Sequence, residues 1–151
     1  ERSHAIRDQV VETLRDVDDD GVVDPLVEIL SAGQETRQRR NAAWILGRIA
    51  DPHASAAVEA LVAALGDDDA QTTRFATTSL AALGGPVVED RLLDRLDPEY
   101  SASVRANAVF VLGRIGGRET LERIEALTDD ESPAVRKRAF SAVTALRSGG
   151  V

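Results

Sequence analysis

Residues 104–115 of this 151-residue chain read VRANAVFVLGRI, and residues 38–49 read QRRNAAWILGRI. Both stretches carry an Asn-Ala pair that is followed, at the same spacing, by Leu-Gly-Arg-Ile. Apolar positions at offsets 0, 4 and 7 lie on one face of an α-helix. The two stretches therefore predict one amphipathic helix that the chain uses more than once.

The same template fits five times along the chain, and the later copies are spaced by 34, 32 and 31 residues. Its three apolar columns are Ala42, Ala76, Ala108 and Ala139; Leu46, Leu80, Leu112 and Val143; and Ile49, Leu83, Ile115 and Leu146. The first copy has Val10, Leu14 and Val17 in these columns. A second apolar set follows in the first four copies, at Val27, Val62, Leu93 and Ile124, each with a leucine three residues later. We call the first predicted helix of each copy the A helix and the second the B helix.

Glycine, proline and aspartate separate these helices. The predicted A helices span 4–17, 36–49, 72–83, 103–115 and 135–147, and the predicted B helices span 22–30, 54–65, 86–96 and 118–127. Such pairs can bury their apolar faces only against neighbouring pairs. The sequence thus predicts an all-α fold, an α-solenoid of antiparallel helix pairs with about four and a half repeats. We expect a single domain over 1–151, with repeats at about 4–32, 35–66, 70–97, 101–128 and 132–148.

The repeated residues also resemble a known family. The run at 104–116, its copy at 38–49 and the stretch DDESPAVRKRA at 129–139 are similar to HEAT repeats of the phycobilisome-lyase-like class. The resemblance implies a solenoid whose B helices line the concave face. It also implies one of two activities, that of a bilin lyase subunit or that of a protein-interaction scaffold. The third copy departs from the pattern, with Thr73 in place of the arginine and Ala81 in place of the glycine.

Composition excludes several classes of protein. The chain has no cysteine, which removes thiol catalysis, cysteine-ligated zinc, iron–sulfur clusters and disulfides. Its net charge of −8 argues against nucleic acid as a partner, and no apolar run is long enough for a membrane helix. Arginine supplies 17 of the 18 basic residues, a bias typical of a cytoplasmic protein from a salt-adapted prokaryote or of an acidic chain from a high-GC genome. The absence of methionine leads us to expect a fragment of a longer protein.

The charges are distributed unevenly over the predicted helices. The A helices carry 13 basic and 3 acidic side chains, whereas the B helices carry 4 basic and 9 acidic ones. Near the starts of A helices, Arg39, Arg105 and Arg136 are within reach of carboxylates in the adjacent turns, at 67–69, 97 and 129–130. This pattern predicts a ladder of ion pairs that ties neighbouring repeats together. A ladder that binds phosphate is the alternative.

Two surfaces are candidates for binding another protein. The first is the B-helix face, with the carboxylates Asp24, Glu28, Glu59, Glu89, Asp90, Asp94, Glu122 and Glu125. It would suit a basic partner, although a solvated, salt-adapted surface would have the same composition. The second has exposed aromatic rings flanked by arginines, namely Trp44 between Arg40 and Arg48, and Phe110 beside Arg114. Packing of these rings into crevices between repeats is the alternative.

A search for catalytic or metal-binding patterns finds only one near match. Asp16, Asp18, Asp20 and Asp24 imitate the first part of a calcium-binding loop. The pattern fails because position twelve is Val27 rather than glutamate and because Pro25 intervenes, so a helix stop is the better interpretation. No nucleophile motif or phosphate-binding loop is present. We therefore expect no cofactor or metal, and a small-molecule ligand is not favoured.

These observations favour a non-enzymatic adaptor. It would bind another protein through the B-helix face, through the patch formed by Arg40, Trp44 and Arg48, or through both. The alternative, by family resemblance alone, is a lyase-like subunit that acts on bilin or on another protein modification. A third hypothesis is a binder of phosphate or nucleic acid that uses the basic A helices, and the net charge argues against it.

Overall fold

The fold is helical throughout the part of the chain that the computed structural model describes, which is residues 20–51 and 54–149 with the isolated positions 5, 8 and 9. Eight α-helices occur in these ranges, and no strand does. They are α1 (Asp20–Ala32), α2 (Thr36–Ile49), α3 (Ser55–Ala63), α4 (Ala70–Leu83), α5 (Gly85–Asp94), α6 (Ala102–Ile115), α7 (Arg118–Glu125) and α8 (Pro133–Gly149). The predicted A helix over 4–17 lies almost wholly outside the described residues.

The helix bounds follow the predicted ones closely. The A helices α2, α4, α6 and α8 begin within two residues of their predicted starts. The B helices α3 and α7 end earlier than expected because their last turns tighten into 3₁₀ segments, Ala64–Gly66 and Ala126–Asp129. The predicted all-α fold of the α-solenoid class is confirmed.

The chain divides into two compact units, residues 1–83 and residues 84–151. In the first unit α2 packs against α1 and α4, and in the second α6 packs against α5 and α8. The alanine column and the leucines Leu46, Leu80 and Leu112 are buried, as the repeat pattern predicts. The single domain over 1–151 stays a prediction.

Neighbouring A helices approach each other closely at the glycine of the Leu-Gly-Arg-Ile motif. A β-carbon at Gly47 would collide with Ser79 of α4, and one at Gly113 would lie 2.8 Å from the β-carbon of Ala142 in α8. The Ser79 hydroxyl donates a buried hydrogen bond of 2.7 Å to the carbonyl oxygen of Ala43, which ties α4 to α2. The motif glycine is therefore required by the distance between the helices.

Candidate protein-interaction surfaces

Arginines at the start of α2 tie this helix to the turn before α4. Arg39 Nε donates to Asp67 at 3.0 Å, and its Nη1 donates to the carbonyl oxygen of Gly33, also at 3.0 Å. Arg40 donates through Nε and Nη2 to the two carboxylate oxygens of Asp69, at 2.7 and 2.6 Å. Both arginines are thus committed to contacts within the first unit.

Asp69 also serves α4 directly. Its carboxylate accepts hydrogen bonds from the Thr72 amide at 2.8 Å and from the Thr72 hydroxyl at 2.9 Å, which satisfies an otherwise unpaired donor at the helix start. The Arg40 guanidinium, helped by the Thr72 bonds, holds the pKa of the Asp69 carboxyl far below its usual range. Asp69 is therefore a charged structural residue at neutral pH.

The second unit repeats this arrangement with greater burial. Arg105 donates to both oxygens of Asp130, at 3.2 and 2.9 Å, and to the carbonyl oxygen of Tyr100 at 2.5 Å. Its side chain is only 4% exposed, and that of Asp130 is 9% exposed. Asp130 also accepts from the Ser132 amide at 2.8 Å, and the Arg105 guanidinium is the main reason that its pKa is lowered. This is a buried, doubly hydrogen-bonded ion pair.

The predicted ladder between repeats is confirmed for Arg39 and Arg105. The phosphate-binding alternative is wrong for both of them, because carboxylates already occupy their guanidiniums. Arg136 differs, since its Nη1 donates to the backbone carbonyl oxygens of Asp130 at 2.7 Å and Glu131 at 3.1 Å. Asp97 takes no part in these contacts and lies 3.8 Å from Arg123.

For Trp44 the alternative of packing into a crevice between repeats is confirmed, and the exposed position is wrong. The indole is only 4% exposed and packs with Ile45 against Leu26, Ile49 and Phe75. Periodicity within α2 places the ring away from the apolar stripe, but the close approach of α4 at Gly47 turns that side of the helix into a crevice. The ring fills this crevice, so an Arg40–Trp44–Arg48 interface patch does not form.

The arginines that flank Trp44 have structural contacts as well. Arg40 is held by Asp69. The Arg48 guanidinium lies 3.6 Å from the centroid of the Trp44 ring, and its Nη1 donates to the Trp44 carbonyl oxygen at 3.1 Å. Arg48 therefore covers the buried indole from the solvent side.

Phe110, at the position equivalent to Trp44, has a different environment. Its ring is half-buried between α6 and α8, with the Arg138 guanidinium 4.7 Å and the Arg114 guanidinium 5.5 Å from its centroid. These residues, together with Gly113 and small side chains of α8, line an open cleft of about 200 Å³. Of the two predicted aromatic sites, this one remains accessible.

The predicted acidic residues of the B helices fall into two groups. Glu89 of α5 is a structural residue, because its carboxylate accepts from the Thr120 hydroxyl and from the Gly117 amide, which joins α5 to α7. Glu125 pairs with Arg147 at 2.5 Å, and Glu59 is half-buried on α3.

The remaining acids are solvent-exposed. In the second unit they are Asp90 and Asp94, one turn apart on α5, and Glu122 on α7. Within the described residues none of these three has an arginine or lysine within 4.0 Å. In the first unit, Asp24 and Glu28 are exposed on α1. The carboxylates of the B-helix face that are open to a partner are thus fewer than the sequence predicts.

The calcium-loop near match is not a loop where it is described. Asp16 and Asp18 lie outside the described residues, and the chain is helical from Asp20 to beyond Asp24. The B helix predicted over 22–30 therefore begins two residues earlier than expected, at Asp20. Across residues 20–51 and 54–149, no three His, Asp or Glu side chains converge to hold a metal ion. In the same ranges, none of the helices has the length and apolarity needed to cross a membrane.

Sequence reasoning missed two residues of α8. Arg138 covers the Phe110 ring, and Phe140 is 61% exposed. The repeat alignment contains a signal for Arg138, because it occupies the column in which α4 has Phe75, the ring that packs beside Trp44. That signal can be read only once the packing of Phe75 beside Trp44 is known.

Antiparallel helix pairs, buried alanine columns and arginine contacts between successive A helices define an α-solenoid repeat protein. The family model for HEAT repeats matches residues 23–101 and 89–149, and the chain belongs to that family. A crystal structure of an engineered protein has the same fold, with a TM-score of 0.50 and 24% identity, over 85% of this chain and 64% of the other.

Two relatives are informative. The chain is 40% identical over 150 residues to a HEAT repeat-containing taxis protein of Halobacterium salinarum, covering 97% of this chain and 37% of that protein. It is 38% identical over 101 residues to the phycocyanobilin lyase subunit beta of Thermosynechococcus vestitus, covering 66% of this chain and 46% of that one. The resemblance to phycobilisome-lyase-like HEAT repeats is confirmed. The chain spans less than half the length of either relative.

Proposed function

We propose that this chain is a non-enzymatic protein-interaction scaffold of a taxis system. HEAT repeats are a scaffold fold, and the relative that covers 97% of the chain is a taxis protein. The origin of that relative in a halophilic archaeon supports a salt-adapted prokaryote as the source, and the proposal includes a cytoplasmic location.

The proposal rests on the observation that some carboxylates are paired with arginines within the fold whereas others are exposed. Asp67, Asp69 and Asp130 are paired with arginines inside the fold. Asp90, Asp94 and Glu122 are left exposed on two B helices that Glu89 holds together. Fixed, accessible charge of one sign steers and selects a partner of the opposite sign. The exposed carboxylates of Asp90 and Asp94, and that of Glu122, therefore suit a lysine- or arginine-bearing protein.

The test is a swimming assay in a motile host strain that lacks the gene. Loss of directed movement with motility retained is expected, and the wild-type gene should restore it. The double variant Asp90→Lys/Asp94→Lys should fail to restore it. The matched control is Glu99→Lys/Glu131→Lys, which makes the same charge change at exposed turn positions of the same unit and should restore movement. Normal directed movement in the deletion strain would rule out the taxis role.

A lyase-like subunit is the second candidate, and the identity to a phycocyanobilin lyase subunit favours it. The test is to mix the purified chain with phycocyanobilin and record the absorbance spectrum. A shifted chromophore band would support this candidate, and an unchanged spectrum would eliminate it.

A further inference from the structure

The cleft between α6 and α8 has an apolar floor and a basic rim. Phe110, Gly113, Ala142 and Ala145 supply apolar surface, while the guanidiniums of Arg114 and Arg138 stand over the Phe110 ring. Its volume of about 200 Å³ is below the roughly 300–1,000 Å³ of most small-molecule pockets. The space therefore suits one large side chain better than a cofactor.

The equivalent crevice of the first unit shows what kind of group fills such a space. There, between α2 and α4, the larger Trp44 replaces Phe110, and Phe75 stands in the column of Arg138. Trp44 and Phe75 pack together, and the Arg48 guanidinium lies over the indole, 3.6 Å from its centroid. In the second unit, Arg114 stands in the place of Arg48. Arg138 replaces the Phe75 ring, and the smaller Phe110 replaces Trp44. The cleft of the second unit thus lies where the first unit has the Phe75 ring.

The two arginines at the rim, Arg114 and Arg138, determine which charge should flank an incoming ring. Among the described residues, neither Arg114 nor Arg138 has a carboxylate within 4.0 Å, in contrast to Arg105, whose charge is neutralised by Asp130. Both side chains are exposed, so a carboxylate beside an incoming ring could pair with them without a large desolvation cost. A ring inserted between the guanidiniums would also gain cation–π attraction.

We infer that the α6–α8 cleft is a docking site for an aromatic side chain in an acidic segment of the partner protein. The ring enters between Phe110 and Ala145, and flanking carboxylates pair with Arg114 and Arg138. This deepens the proposed scaffold function and rests on it, but it concerns the A-helix side of the second unit rather than the acids of α5 and α7.

A second copy of this chain is a less suitable occupant. Its own acidic aromatic segment is at 97–100, where Tyr100 is half-buried beside Arg95, 4.9 Å from the ring centroid, and its carbonyl oxygen is held by Arg105. Inserting that ring into another copy would break both contacts. Sedimentation equilibrium tests this directly, and a dimer that Arg138→Phe abolishes would overturn the assignment to a partner protein.

The binding experiment uses a fluorescein-labelled peptide, Asp-Glu-Asp-Phe-Asp-Glu-Asp, and measures fluorescence anisotropy with the full chain. Replacing the peptide's phenylalanine by alanine should weaken binding about tenfold or more, as expected for a central aromatic contact. Replacing its acids by lysines should weaken binding similarly, because the rim is basic. Equal binding of all three peptides would overturn the proposal.

Three protein variants separate filling of the cleft from loss of charge. Arg138→Phe places a ring where α4 has Phe75, so it should fill the cleft and abolish binding without lowering the melting temperature. Arg138→Gln keeps the cleft open but removes charge and should weaken binding by several-fold. Lys137→Gln is the matched control, one residue away on α8, exposed and outside the cleft, and should bind as the wild type does. Equal losses in Arg138→Gln and Lys137→Gln would mean unspecific charge attraction and would overturn the site.

The outcomes of this experiment and of the swimming assay are independent. Peptide binding that is insensitive to Arg138→Phe would remove the docking site, whereas the swimming assay would still decide the scaffold role. Specific peptide binding together with unimpaired taxis in the deletion strain would keep the docking site and remove the taxis assignment.

Discussion

At the scale of single residues, aspartate performs two distinct roles in this chain. Asp130 and Asp69 are structural, since each carboxylate accepts hydrogen bonds from an arginine; Asp69 also caps the first turn of α4 at Thr72, and Asp130 also accepts from the Ser132 amide in the turn before α8. Asp90 and Asp94 make no such contacts in the described part of the chain and remain exposed. Both structural aspartates stand in the turns before A helices, whereas Asp90 and Asp94 lie on a B helix.

The lowered pKa of Asp130 predicts a defined acid sensitivity. The folded state holds the pKa of this carboxyl below the unfolded value of about 3.9. The contribution of the carboxylate to stability is therefore complete above that pH and is lost as the pH falls further. Asp130→Asn should lower the free energy of unfolding by about 3 kcal/mol at pH 7, since it leaves Arg105 buried and unpaired, and should flatten the decline below pH 4. Urea unfolding between pH 2 and 7 measures both effects. Asp129→Asn, at the exposed neighbouring position, is the control. A decline of wild-type steepness in Asp130→Asn would contradict the assignment.

At the scale of helices, the distance between α2 and α4 and the distance between α6 and α8 depend on glycine. Gly113→Ala should lower the free energy of unfolding by about 1–3 kcal/mol, because its methyl group would lie 2.8 Å from that of Ala142. Gly21→Ala should instead leave the free energy of unfolding unchanged or raise it slightly, because Gly21 lies in the first turn of α1 with no atom within 4 Å of the new methyl group. Thermal or urea unfolding distinguishes them. Equal effects of the two substitutions would show that helix propensity, and not the interhelix contact, governs Gly113.

The elements themselves were largely predictable from the sequence, and the candidate site was not. Apolar columns fixed the starts of α2, α4, α6 and α8 because helical periodicity is a property of a single segment. The burial of Trp44 depends on the neighbouring helix that Gly47 admits, and the periodicity of α2 alone carries no information about it. Phe110 has the same local sequence signal, yet it borders an open cleft because its neighbour is Arg138 rather than a second ring.

At the scale of the whole molecule, the net charge of −8 combines internal and external contributions. Ion pairs such as Arg105–Asp130 are shielded from solvent and respond little to salt. Exposed turn carboxylates such as Asp129 and Glu131 repel one another through water. The acidic excess therefore weakens the fold at low salt without affecting the contacts that define it.

Stability should consequently rise with salt over the range in which surface repulsion is screened. Raising KCl from about 0.01 to about 1 M shortens the Debye length from roughly 30 to 3 Å, so the melting temperature should increase steadily. Neutralising exposed turn acids in the double variant Asp129→Asn/Glu131→Gln should raise the melting temperature at low salt and reduce this increase. Asp130→Asn should lower the melting temperature by a similar amount at both salt concentrations, because its partner is buried. Calorimetry at the two concentrations measures all three proteins, and a destabilisation by Asp130→Asn that vanishes at high salt would show that the Arg105–Asp130 pair acts as surface charge.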